Sequence, residues 1–272
     1  MLLAASSYDG RRDSGLTDML TVDGVWKTFR GVAAVRALTL QAEPGNVVGL
    51  LGPNGSGKST TVRMIVGLLR PTRGCIRWRG TDIHQQLLAY QKIVGYIPEE
   101  PRLYAYLSAV EYLELVGGLR GIPRETLARR IDRYLELFGL DTDRHAPLSA
   151  FSKGMRQKVL VAAALIHDPE LIVLDEPDSG LDVAATLALR SLIATLAERG
   201  RTIIYSSHVL DAVERVCRDV IILRHGSAIA STSVTRLREL TETATLEEAF
   251  TTVAVDEDVA ALGRELADVS SR

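Results

Sequence analysis

The apolar positions of this chain change period several times. "NVVGLLG" (46–52), "LIVLDEP" (171–177), "TIIYSSH" (202–208) and "DVIILRHG" (219–226) are continuous apolar runs ending in glycine or polar residues. That is the pattern of strands buried on both faces. Between them, "KSTTVRMIVGLL" (58–69), "VAATLALRSLIATLAERG" (183–200) and "LDAVERVC" (210–217) repeat their apolar positions at helical spacing. "LTVDGVWKTF" (20–29) and "ALTLQAEPG" (37–45) predict strands of an antiparallel edge, and "CIRWRG" (75–80) and "IVGYIP" (93–98) predict two further strands.

From about 101 to 168 the period is helical. "PRETLARRIDRYLELFGL" sets Leu127, Ile131, Leu135 and Phe138 on one stripe, opened by Pro123 and closed at Gly139, with charges opposite. The whole predicts an α/β fold: a mainly parallel sheet flanked by helices, an antiparallel β edge and a helical subdomain inserted at 101–168. Residues 1–18 are small, polar and without periodicity and read as a disordered tail. The folded body is expected over 19–232, with short amphipathic pieces and a charged tail over 233–272.

At 272 residues one large α/β domain with a subdomain is the natural size. The net charge of −2 and pI near 6.2 supply no global basic field, so nucleic acid is not the expected partner. Cys75 and Cys217 are far apart, no CxxC occurs, and the first fifteen residues lack a signal-peptide core. A reduced cytoplasmic protein is the expectation. The longest apolar run, "VLVAAALI", falls well short of the ~20 residues of a spanning helix.

The run Gly52 to Ser59, "GPNGSGKS", satisfies GxxxxGK[ST] between a predicted strand and a predicted helix. Here Gly52, Asn54, Gly55, Ser56 and Gly57 bring backbone N–H groups close to phosphates. Lys58 supplies charge for the β and γ oxygens, and Ser59, followed by Thr60, offers a hydroxyl to Mg²⁺. "LIVLDEP" ends in Asp175 and Glu176: the first suits a metal held through its water shell, the second a base that orients and deprotonates an attacking water. Taken alone, an acidic pair at a strand end is more often a solvated feature.

A second glycine-bearing loop, "FSKGMRQK" (151–158), opens another apolar helix. In order, "GPNGSGKST", "YIPEEP", "FSKGMRQK", "LIVLDEP", "SGLD" and "SSH" resemble an ATP-binding cassette (ABC) ATPase over about residues 19–230. The resemblance implies ATP and Mg²⁺ as ligands and a head-to-tail homodimer or heterodimer of cassettes, in which Ser152, Lys153, Gly154 and Met155 close over the ATP of the partner. It implies that Phe29 stacks on adenine, that Asp182 touches the opposite subunit, and that His208 contacts the γ-phosphate.

Two positions depart from the family pattern. Glu99 stands where glutamine is usual, adding a carboxylate beside the metal, and Lys153 replaces the first of two adjacent glycines. With the late "TLEEAF", these stretches resemble ATPases of ABC-2 type exporters more than those of importers. The resemblance thus implies a separate transmembrane permease subunit and a peripheral place on the inner face of the cell membrane. A soluble cassette ATPase acting on nucleic acid or ribosomes is the alternative, but neither a tandem cassette nor a long coiled-coil insertion is visible. A kinase or GTPase leaves "FSKGMRQK" without a role, and no NKxD occurs.

Overall fold

A computed structural model describes residues 19–100, 102–179 and 181–254. The predicted tail at 1–18 and the part of the predicted extension beyond 254 lie outside them. The described strands are β1 (Leu20–Phe29), β2 (Val32–Ala42), β3 (Val47–Leu51), β4 (Arg73–Trp78), β5 (Thr81–Asp82), β6 (Val94–Ile97), β7 (Leu171–Asp175), β8 (Thr202–Ser206), β9 (Asp219–Arg224) and β10 (Ser227–Ser233). They form two sheets. One is antiparallel in the order β2-β1-β4-β5; the other runs β10-β9-β3-β8-β7-β6 and is parallel except for β10. Each of β3, β7 and β8 is buried along its whole length, as its unbroken apolar run demands.

The helices are α1 (Lys58–Ile65), α2 (Leu87–Lys92), α3 (Ala109–Leu119), α4 (Arg124–Phe138), α5 (Lys153–Leu165), α6 (Val183–Glu198), α7 (Leu210–Val216), α8 (Val234–Thr241) and α9 (Leu246–Ala254). The helical stretch at 58–69 stops earlier than its sequence period suggests. Gly67 turns left-handed at φ 77°, and its N–H and that of Leu68 return to Met64 O and Arg63 O, closing the last turn. α2, β5 and β10 have no counterpart in the sequence pattern. In α4 the predicted stripe holds for Leu127, Ile131 and Leu135, all buried, while Phe138 is half-buried; Gly139 ends the helix at φ 64°.

Three apolar clusters organise these layers. One joins the antiparallel sheet to α1 and one face of the parallel sheet, through Leu20, Val22, Leu38, Met64, Leu50 and Val173. A second covers the other face and includes the late helices, with Leu189, Ile193, Val213, Leu237 and Leu246. The third lies among α3, α4 and α5, around Leu113, Ile131, Leu148 and Val159. The antiparallel sheet meets the β3–α1 loop at backbone distance. A Cβ on Gly57 or on Gly226 would lie 2.7 Å from Ala34 O, and Arg36 N donates to Gly226 O at 2.7 Å. Only glycine fits at both positions, and both also have positive φ.

Candidate functional site

The loop between β3 and α1 is built to leave its N–H groups available. Gly57 caps α1 at φ 105°, and no side chain fills the cap. At Gly52 a Cβ would meet Leu223 O at 2.3 Å and Ser56 Oγ at 2.4 Å, so the turn must be glycine there. Lys58 is buried and donates Nζ to Gly52 O at 2.7 Å and to Pro53 O at 3.3 Å. A cationic head thereby lies across the mouth of the loop, beside the helix N-terminus, where an anion is favoured.

This loop forms the floor of a cleft of about 650 Å³. Its lining brings together Asn54, Gly55, Gly57, Lys58, Ser59 and Thr60 from the loop, with Phe29, Glu99, Glu176 and His208 from four distant parts of the chain. Gly52 and Ser56 lie behind that lining; Ser56 is buried and ties the loop to the β9–β10 turn by accepting Gly226 N at 3.1 Å. Ala34 also lines the cleft, and Lys27 places its ammonium 5.3 Å from the centre of the Phe29 ring while donating to Arg70 O at 2.7 Å. Neither stood out in the sequence, because both depend on how β1 and β2 fold over the loop.

Glu176 follows β7 with φ 50° and is buried. Its Oε2 accepts from His208 N at 3.2 Å and sits 2.7 Å from His208 Nδ1, with Ser207 Oγ at 3.4 Å. The imidazole is otherwise 67% exposed, so the pair has one buried and one solvent-facing member. Asp175 lies behind it at 2% exposure, and its Oδ1 has no hydrogen-bond partner among the described residues. Burial raises the pKa of its carboxyl. The Ser206 hydroxyl opposes the rise, the charges of Glu99 and Glu176 add to it, and the Ser59 hydroxyl again opposes it. Among the described residues no group of three or more acidic, histidine or cysteine side chains is arranged to hold a metal ion, so Asp175 with the Ser59 hydroxyl would supply only a partial shell to a hard cation that keeps most of its waters.

Ser152, Lys153, Gly154 and Met155 do not line this cleft. Ser152 is the exposed N-cap of α5 and its Oγ accepts from Met155 N at 3.2 Å, so one N–H of that helix start is already used. Lys153 is exposed and donates Nζ to Ser179 Oγ at 3.0 Å. Asp182, likewise exposed, caps α6 by accepting Ala185 N at 2.8 Å. The structure therefore collects one set of the sequence-selected residues in a cleft and leaves the other set on the surface.

A family model described as ABC transporter matches residues 35–179. The ABC transporter ATP-binding protein NatA of Bacillus subtilis is 40% identical over 199 residues, which are 73% of this chain and 81% of NatA. An uncharacterized ABC transporter ATP-binding protein of Nostoc, all4389, is 39% identical over 79% of this chain, and the match spans 64% of its own length. Among solved structures, an ATP-binding subunit of an ABC transporter superimposes with a TM-score of 0.81 at 32% identity. That match covers 86% of this chain and 99% of the other.

Proposed function

We propose, from the premise that this chain belongs to the ABC transporter family of ATP-binding proteins, that it is the ATP-hydrolysing subunit of an exporter. The observation that carries the reading is the cleft that unites Lys58, Ser59, Glu99, Glu176 and His208 while Ser152 is exposed elsewhere and Gly154 does not line the cleft. Lys58 and the open N–H groups at Gly57 bind the triphosphate, and Phe29 stacks on the base. Glu176 takes the proton of the attacking water, with His208 fixing the direction of its carboxylate. Asp175, Ser59 and Glu99 would hold Mg²⁺, which neutralises phosphate charge when bound.

The second set of residues is then used in trans. Two cassettes, of one kind or two, meet head to tail, so that the Ser152–Met155 segment of one covers the ATP in the cleft of the other, and Asp182 lies at the contact. Closing on ATP and opening after hydrolysis drives a separate membrane-spanning permease. Among the described residues no helix is long and apolar enough to cross a membrane, so membrane association would come through that permease. The ABC-2 exporter assignment rests on "YIPEE", "SKGMRQK" and "TLEEAF". The body is assigned to 19–232 with the helical insertion at 101–168, and 233–272 to an extension.

Glu176→Gln keeps the side-chain shape and removes the base. Hydrolysis should fall by ~100-fold or more while ATP stays bound, measured as steady-state phosphate release beside equilibrium nucleotide binding. Parental turnover in that variant would remove Glu176 from the mechanism. For Glu99→Gln the metal dependence of hydrolysis should move more than nucleotide affinity, because the change removes a charge from the cation site. Superimposable Mg²⁺ and Mn²⁺ activation curves for the two proteins would take Glu99 out of that site.

A further inference from the structure

Glu176 occupies the left-handed region, which costs a glutamate energy and needs support from its surroundings. Its N–H donates to Ser206 O at 2.8 Å. Each of the next three residues is then gripped by a different side chain. Pro177 O accepts from Gln157 Nε2 at 3.2 Å in a buried contact, Asp178 Oδ2 accepts from the Tyr205 hydroxyl, and Ser179 Oγ accepts from Lys153 Nζ. Lys153 and Gln157 lie four apart on α5 and so share one face of the helix. Tyr205 is fully buried on β8, the strand that runs directly into Ser207 and His208.

We infer that Gln157, Tyr205 and Lys153 are positioning residues that clamp residues 177–179 and so hold the Glu176 carboxylate toward the cleft. Two of the three belong to the helix that begins at Ser152, so the aim of the carboxylate depends on where α5 lies. If Ser152 and Gly154 engage the ATP of a partner, that engagement is felt at the glutamate of this chain's own cleft. The inference rests on the reading of Glu176 as the base. The Tyr205–Asp178 bond is the sharpest part of the clamp. Asp178 is half-buried and its Oδ1 already lacks a partner among the described residues, so losing the hydroxyl leaves the carboxylate unsatisfied, and the loop shifts to rehydrate it.

The test uses the full-length protein with Mg²⁺ and ATP. Tyr205→Phe keeps the ring in the core and deletes only the hydroxyl. Displacement of a reacting group by a fraction of an ångström should lower kcat about tenfold, with KM and ADP affinity unchanged. Asp178→Asn retains an acceptor oxygen for Tyr205 and should stay within about threefold of the parent, and Lys153→Met should lose about threefold. In a Glu176→Gln background, single-turnover rates should not fall further on adding Tyr205→Phe, because the hydroxyl acts only through the carboxylate. Parental kcat for both Tyr205→Phe and Lys153→Met, or the same fold loss with and without Glu176, would overturn the inference. A parental rate for Glu176→Gln alone would instead overturn the assignment of the base.

Discussion

The two glycine-bearing loops each open a helix, and their first turns are built in opposite ways. α1 starts from Gly57, whose missing side chain leaves the first N–H groups without a cap, and Lys58 is buried against the loop's own carbonyls. α5 starts from Ser152, which caps its own helix, and Lys153 is tied to Ser179. The first loop is thus ready for an anion before one arrives. In the second, the Met155 N–H is already taken by the Ser152 hydroxyl oxygen, while the hydroxyl proton stays free to donate to a phosphate. With one helix-start N–H fewer on offer, the second loop is the weaker phosphate site on its own, so ATP should bind first to the α1 loop and only then recruit the other.

The largest effect that could break this contrast comes from exchanging the defects. Lys58→Ala should weaken ATP binding by ~10- to 100-fold through loss of a charge-assisted contact. Gly154→Asp should leave monomer binding within about twofold and abolish hydrolysis by setting a carboxylate against the γ-phosphate. Mixed together, the two variants form some heterodimers with one intact composite site, and part of the ATPase activity should return. If Gly154→Asp by itself loses ATP binding, the second loop serves its own chain, and the contrast between open and capped loops has no functional meaning.

A smaller effect concerns backbone tolerance. Gly57→Ala would place a methyl 2.7 Å from Ala34 O on a residue at φ 105°, and should destabilise the protein by ~1–3 kcal/mol in urea unfolding. Gly154→Ala falls inside α5, where alanine is the better helix former, and stability should hold within about 1 kcal/mol. Equal losses at the two positions would mean that the loops are not differently constrained.

The smallest effect lies at the far end of α5. His167 holds Val94 O through Nε2 at 3.0 Å, and burial, with the nearby Arg120 charge, lowers its pKa to about 4. The unfolded chain takes up this proton first, so its contribution to stability is present above the ordinary histidine pKa and is lost as pH falls from about 6.5 towards 4. Over that window Tm should drop by ~3 °C more in the parent than in His167→Gln, followed by calorimetry. Identical pH profiles would show that the anchor at this end of α5 carries no proton linkage.

Much of the fold was legible because β3, β7, β8 and β9 are buried on both faces and wrote that condition into unbroken apolar runs. The cleft was legible as far as each motif has its own local geometry, at Gly52–Ser59 and at Asp175–Glu176. What escaped were elements too short for a period, such as α2 and β5, and β10, whose alternating small polar residues resemble a loop. The contacts of Lys27 with Arg70 and of Tyr205 with Asp178 also escaped. In each, tertiary packing chooses the partner, and neither residue type signals it. Lys153 illustrates the limit best: the sequence marks it as unusual for its family and the resemblance points it only at the ATP of a partner, whereas the structure pairs it with a serine 26 positions away.

The left-handed backbone at Glu176 has a consequence for anyone improving this protein by directed evolution. Glycine and asparagine enter that region more readily than glutamate, so either should raise the melting point while removing the carboxylate. If Glu176 is the base proposed above, a library selected for heat resistance alone would therefore enrich such replacements at position 176 and return tougher proteins that no longer turn over ATP. Selection on phosphate release in the same round is what would keep the glutamate in place.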